Sequence, residues 1–134
     1  MRVLVNIDVD DLEKAVGFYE TAFGLKVSRR IGVHVVEMLG SSAPIYLLAK
    51  GSDTTASNTT PQRRSYDRHW TPVHLDFVVE EIESAVKRAV DAGALLEEAV
   101  STRQWGKLAL MSDPFGHGFC FVEFIGRGYD ETTE

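Results

Sequence analysis

From residue 3 to residue 9 apolar and polar side chains alternate as they do in a half-buried strand. The spacing then becomes helical. Leu12, Ala15, Val16, Tyr19 and Phe23 form one apolar stripe, with Glu13, Lys14 and Glu20 off it. Asp10-Asp11 sets carboxylates at the start of this helix, and Gly24 provides a C-terminal glycine to end it. Three strand-like segments follow, 25–30, 33–39 and 45–49, broken by Gly32 and by Gly40-Ser41-Ser42-Ala43-Pro44. The first half therefore reads βαβββ.

Val73 restarts the pattern. His74-Leu75-Asp76-Phe77-Val78-Val79 predicts a strand, Glu80-Glu81 an acidic helix start, and Ile82, Ala85, Val86, Ala89 and Val90 a second apolar stripe closed by Gly93. Strands are predicted again at 95–102, 107–112 and 118–124. The halves align at an offset of 70: Val9, Glu13, Ala15 and Val16 meet Val79, Glu83, Ala85 and Val86 identically. Two such units side by side predict an α+β fold, two βαβββ modules forming a curved mixed sheet around a central cavity, with the helices on the outer face.

Between them, residues 51–72 shift to Ser, Thr, Asn, Asp and Arg, which predicts a polar linker or arm. The division is then 1–50 first module, 51–72 linker, 73–125 second module and 126–134 a polar, frayed tail. Tyr66 and Trp70 favour an arm that packs against something, a second subunit included. Arg63, Arg64 and Arg68 read as a solvated stretch.

At 134 residues and 44% hydrophobic content the chain can bury one real core. Its formal net charge of -6 and scattered basic residues argue against nucleic-acid or anionic-membrane partners. The opening residues run into a strand pattern without the apolar region of a signal peptide, no run approaches a membrane span, and a lone cysteine suits a reducing compartment. A cytoplasmic protein with a small-molecule or protein partner is expected.

Val9-Asp10-Asp11-Leu12 through Phe18-Tyr19 and Phe23-Gly24-Leu25, then His74 with Val79-Glu80-Glu81-Ile82, then Asp113-Pro114-Phe115-Gly116, carry a resemblance to the vicinal oxygen chelate superfamily. That superfamily includes glyoxalase, extradiol dioxygenases and the bleomycin-resistance proteins. The resemblance covers nearly the whole chain outside the linker and tail. It implies the fold, a homodimer, and in the metalloenzymes a divalent ion held from the first and last strands of each half. Here those positions are Leu4, His74, Tyr46 (or Leu48 with a register slip of two) and Cys120. One matches, one is a soft candidate, and two are poor or impossible ligands. No bound metal and no cofactor are expected.

Strand alternation puts Leu4, Asn6 and Asp8 on one face, with Tyr46 and Leu48, His74, Asp76 and Val78, and Cys120 and Val122 as their counterparts. Together with Trp105 at the rim they describe an apolar cup with a few polar groups. Each has a plainer reading. His74 is a general base or ligand partner, or a histidine satisfied by its neighbours; Cys120 is a nucleophile beside His74, or a small buried hydrophobe. Glu123 is expected on the face opposite Cys120. His69 and His117 are expected to be exposed, His34 carries no assigned chemistry, and Gly116 and Gly118 are expected to serve turn geometry.

The sequence thus predicts a metal-independent small-molecule binding protein of the bleomycin-resistance/glyoxalase-like type, sequestering an apolar or aromatic ligand. The alternatives are a glyoxalase- or dioxygenase-type enzyme using a metal or a His74/Cys120 pair, and a partner-binding module with a filled cavity.

Overall fold

The computed structural model describes residues 1–132. The chain forms two compact units that divide after Asp67, and each contains one βαβββ module. In the first, β1 (Val5–Val9), α1 (Leu12–Phe23), β2 (Lys26–Ile31), β3 (Val35–Leu39) and β4 (Ile45–Ala49) build a four-stranded sheet in the order β1-β4-β3-β2. β1 and β4 run parallel and the other pairs antiparallel, so the sheet is mixed.

Local chemistry explains the helix limits. Asp11 accepts a hydrogen bond from the Lys14 N–H at 3.1 Å, satisfying one of the orphan donors of the first turn of α1. At the other end Gly24 takes φ 68°, a left-handed conformation that glycine adopts without a side-chain clash. Ala15, Val16, Phe18, Tyr19 and Ala22 are buried, and they pack on the sheet face that carries Val36, Met38, Ile45 and Leu47. Phe18 widens the predicted stripe and meets Tyr19 edge to face with ring centres 5.1 Å apart.

The second unit repeats the plan. Here β7 (Leu75–Val78), α2 (Ile82–Ala92), β8 (Leu95–Arg103), β9 (Gly106–Ser112) and β10 (Gly118–Phe124) give the order β7-β10-β9-β8, with β7 and β10 parallel. Ile82, Ala85 and Ala89 of α2 are buried, as are Phe119 and Phe121 on the strand beneath, where Phe77 meets Phe119 edge to face. The first N–H of α2 donates to Glu123 Oε1 at 2.9 Å, so β10 supplies the cap that Glu81 does not. Glu123 therefore lies on the helix face, opposite Cys120.

The polar segment 51–72, expected as a linker or arm, divides between the two units. Its first part forms a hairpin of β5 (Thr55–Ser57) and β6 (Thr60–Arg63) in the first unit. Arg64 secures it: its guanidinium donates to Asp8 at 2.8 Å and to the carbonyls of Thr55 and Ala56. The Tyr66 hydroxyl donates to the Lys50 carbonyl at 2.6 Å, and burial pushes its pKa up to about 12. From Arg68 onward the segment belongs to the second unit. The predicted solvated arginine stretch is corrected at Arg64 and Arg68, because both guanidinium groups have acidic partners that lie far away in sequence.

The tail is corrected too. Residues 128–131 form a 3-10 turn in which Tyr129 packs on Trp105 and Phe124, and Glu131 accepts from the Arg127 N–H. The last two residues of the tail, 133 and 134, lie outside the described residues.

Candidate functional site

On the second module the face of the sheet opposite α2 carries a convergent polar group. Asp76 and Cys120 are register partners across the parallel β7–β10 pair, and His74 stands just ahead of β7, two residues from Asp76 on the same side. His74 Nε2 lies 3.2 Å from Asp76 Oδ1. One donor atom from each of His74, Asp76 and Cys120 falls within 4.8 Å of the others. His74 and Asp76 are exposed and Cys120 is 8% exposed.

Burial, the Asp76 carboxylate and a hydrogen bond to it push the Cys120 thiol up to about 11. At neutral pH Cys120 is a protonated thiol. The thiolate that a His74/Cys120 nucleophile would need is disfavoured by the neighbour that strand geometry places beside it.

A cleft of about 170 Å³ opens next to this group, lined by Arg68, Trp70, Thr71, His74, Glu97 and Cys120 and closed below by apolar side chains of β9 and β10. Arg68 and Glu97 form a two-pronged ion pair, Nε to Oε2 at 2.5 Å and Nη2 to Oε1 at 2.9 Å, which holds the Glu97 carboxyl below its usual range. Trp70 is 80% exposed at the rim. Gly118 is no turn device, unlike Gly116 at φ 81°: a β-carbon on Gly118 would stand 2.6 Å from Arg68 Nη2, so the absence of a side chain leaves room for the guanidinium.

The remaining candidates sit elsewhere. On the first module, Asn6 pairs in register with Tyr46 and Asp8 with Leu48, while Leu4 precedes β1 and is exposed. Asp8 is engaged by Arg64, and the Tyr46 hydroxyl donates to Glu37, which also accepts from Arg29 at 3.1 Å. Tyr46 first, then Arg29, holds the Glu37 carboxyl below its usual range. Val78 and Val122 are register partners beside Asp76 and Cys120. Trp105 does not line the cleft of the second module; it packs on Phe124 and Tyr129, and Trp70 is the aromatic group at the rim.

Sequence reasoning missed Arg68, Trp70, Thr71, Glu97 and Glu37. No local signal marks an ion pair whose partners are 29 residues apart. The expectation for His69 and His117 is corrected: both are half-buried and hydrogen-bonded to each other, Nε2 to Nδ1, at 2.9 Å. His34 is exposed.

A family model described as a glyoxalase-like domain matches residues 4–122. The chain belongs to the glyoxalase-like family. A curated relative, an uncharacterised protein of Mycobacterium bovis, is 26% identical over 116 residues, covering 81% of this chain and 74% of its own. Among solved structures, the fosfomycin resistance protein of Listeria monocytogenes superposes with a TM-score of 0.73 at 16% identity, covering 99% of this chain and 98% of that one. A glyoxalase/bleomycin resistance protein/dioxygenase family enzyme from Burkholderia phytofirmans gives 0.71 at 18% identity, covering 91% and 97%. At these identities the structural likeness establishes the fold.

Of the four positions implied as metal ligands, His74 and Cys120 lie together on the second module. Leu4 has no donor atom, and the Tyr46 hydroxyl is committed to Glu37. The donors His74, Asp76 and Cys120 of the second module form a different trio, whose chemistry suits a soft divalent ion better than a hard one. An ion there would have to displace the proton that burial and Asp76 keep on Cys120.

Proposed function

We propose that this glyoxalase-like chain is a metal-independent small-molecule binding protein that sequesters an apolar or aromatic ligand in the cleft of its second module. The observation that carries the reading is Cys120: at a position where family metalloenzymes hold an ion, the chain has a buried, protonated thiol, beside an open cleft with an exposed tryptophan. The volume bounds the ligand. A cleft of about 170 Å³ lies below the usual range for drug-sized compounds, roughly 300–1,000 Å³, so a single ring stacked on Trp70 fills it. A thermal-shift and titration screen with single-ring aromatic compounds tests this. A saturating hit should raise the midpoint and lose most of its effect in Trp70→Ala; no hits, or hits indifferent to Trp70→Ala, contradict it.

A second reading rests on the trio itself. With three donors within 4.8 Å of one another, His74, Asp76 and Cys120 would hold a soft divalent ion with an open position, and the protein would be an enzyme of glyoxalase type. The Asp76 carboxylate would orient His74 in either case.

We further propose a cytoplasmic homodimer. Among the described residues no helix is long and apolar enough to cross a membrane. Strand β7 lies at an edge of its sheet and leaves Val78 60% exposed, with Val73 just ahead of it 79% exposed, an apolar edge of the kind that pairing covers. Light scattering should give twice the chain mass.

A further inference from the structure

The polar groups around the cleft of the second module differ in what they have left to offer a ligand. Most of the donors are committed. All three guanidinium nitrogens of Arg68 are engaged, Nε and Nη2 on the Glu97 carboxylate and Nη1 on the carbonyls of His69 and Gly116. The Thr71 hydroxyl donates to the Val73 carbonyl at 2.6 Å, and the Cys120 thiol donates to Asp76.

His74, which lines the same cleft, stands the other way round. Its Nε2 lies 3.2 Å from Asp76 Oδ1. A lone pair on Nε2 would face the carboxylate oxygen and be repelled, whereas an N–H there is attracted. In the neutral ring the proton therefore sits on Nε2, and Nδ1 is left as an acceptor. What His74 offers a ligand is a place for an O–H or N–H to donate.

Charge narrows the class further. A lone arginine in a cleft would invite a carboxylate, but the charge of Arg68 is already matched by the two-pronged bond to Glu97. Asp76 adds a further carboxylate, set against a neutral imidazole and a neutral thiol. A second anion entering here would meet two carboxylates and no uncommitted guanidinium.

We propose that the cleft selects an uncharged aromatic ring bearing a hydroxyl, a phenol, whose O–H donates to His74 Nδ1 while the ring stacks on Trp70, and that it rejects aromatic carboxylates. Asp76 is then a positioning residue that fixes which nitrogen of His74 accepts. The Arg68–Glu97 pair sets selectivity, because Glu97 withholds the guanidinium from anions. This inference names the ligand class for the binding reading above and rests on it.

Calorimetric titration of the full chain with phenol, toluene and benzoate tests it, the three sharing one ring and differing in a single substituent. Transfer from water favours the methyl group over an unpaired hydroxyl, so an apolar cleft without an acceptor prefers toluene. Phenol should instead match or exceed toluene, with benzoate the weakest of the three. The phenol-to-toluene affinity ratio should fall about tenfold in His74→Ala, the worth of one hydrogen bond. In Glu97→Gln, which frees Arg68, benzoate should gain about tenfold relative to phenol. Nitrogen NMR of the unliganded chain, with the histidine rings neutral, should show the His74 proton on Nε2, and this preference should be lost in Asp76→Leu. A ratio unchanged in His74→Ala, benzoate preferred over phenol in the wild type, or the proton on Nδ1 overturns this inference and leaves aromatic binding standing. Failure of all three probes to bind overturns the binding reading and this inference with it.

Discussion

Asp76 and Cys120 stand side by side across the parallel β7–β10 pair, close enough for the carboxylate to take a hydrogen bond from the thiol and hold its proton. Strand pairing sets this relationship, and it adds to the burial that keeps the proton on Cys120. With its pKa pushed up to about 11, the thiol is on the order of one ten-thousandth ionised at pH 7.

Cys120 should therefore react slowly with a thiol probe at neutral pH, with a rate that climbs only in strong alkali. Asp76→Asn removes the carboxylate and should speed the reaction about tenfold for each pH unit of acidity recovered. Stopped-flow alkylation across pH checks both. Fast wild-type labelling at pH 7 would restore the nucleophile reading.

Gly118→Ala should act on Arg68. The added β-carbon meets the far end of a flexible side chain, so the fold should survive while the Arg68–Glu97 bridge breaks. For a bridge this exposed the expected loss is about 0.5–1 kcal/mol, measured by urea denaturation and matched by Arg68→Ala. Additive losses in the double variant would contradict the link, since both changes are expected to remove the same interaction.

Stability should depend on pH with a sign set by Glu37 and Glu97. Both carboxyls lie below their usual range in the folded chain, so their contribution is complete above the unfolded value of about 4.3 and is lost as pH falls through the folded values. Tyr66 works in the opposite sense: raised to about 12, it contributes below the unfolded value of about 10 and loses that contribution as pH rises through 12. Urea midpoints between pH 3 and 7 should fall on the acid side, and Glu37→Gln should flatten that limb.

Much of the fold is legible because it rests on short-range signals. The stripe through Ala15, Val16 and Tyr19 and the glycine stops at 24 and 93 fix the helices, and the offset of 70 announces the repeat. Alternation also puts His74 and Asp76 on one face, and register adds Cys120. Other features come from pairings between residues remote in sequence. Arg64 reaches Asp8 across 56 positions and His69 reaches His117 across 48, so within a segment read from composition as a linker or arm the structure shows a hairpin and side chains tied to remote partners. Gly118 was misread for a related reason, since its role is to leave space for a side chain 50 residues earlier.

The central claim is that binding in the second-module cleft needs no ion, and elemental analysis of the purified, chelator-free protein tests it most directly. The account predicts transition metal far below one equivalent per chain, and no loss of aromatic-ligand binding after chelator treatment. One equivalent of zinc or a similar ion, lost together from the His74→Ala and Cys120→Ser variants, would contradict it and establish the trio as a metal centre.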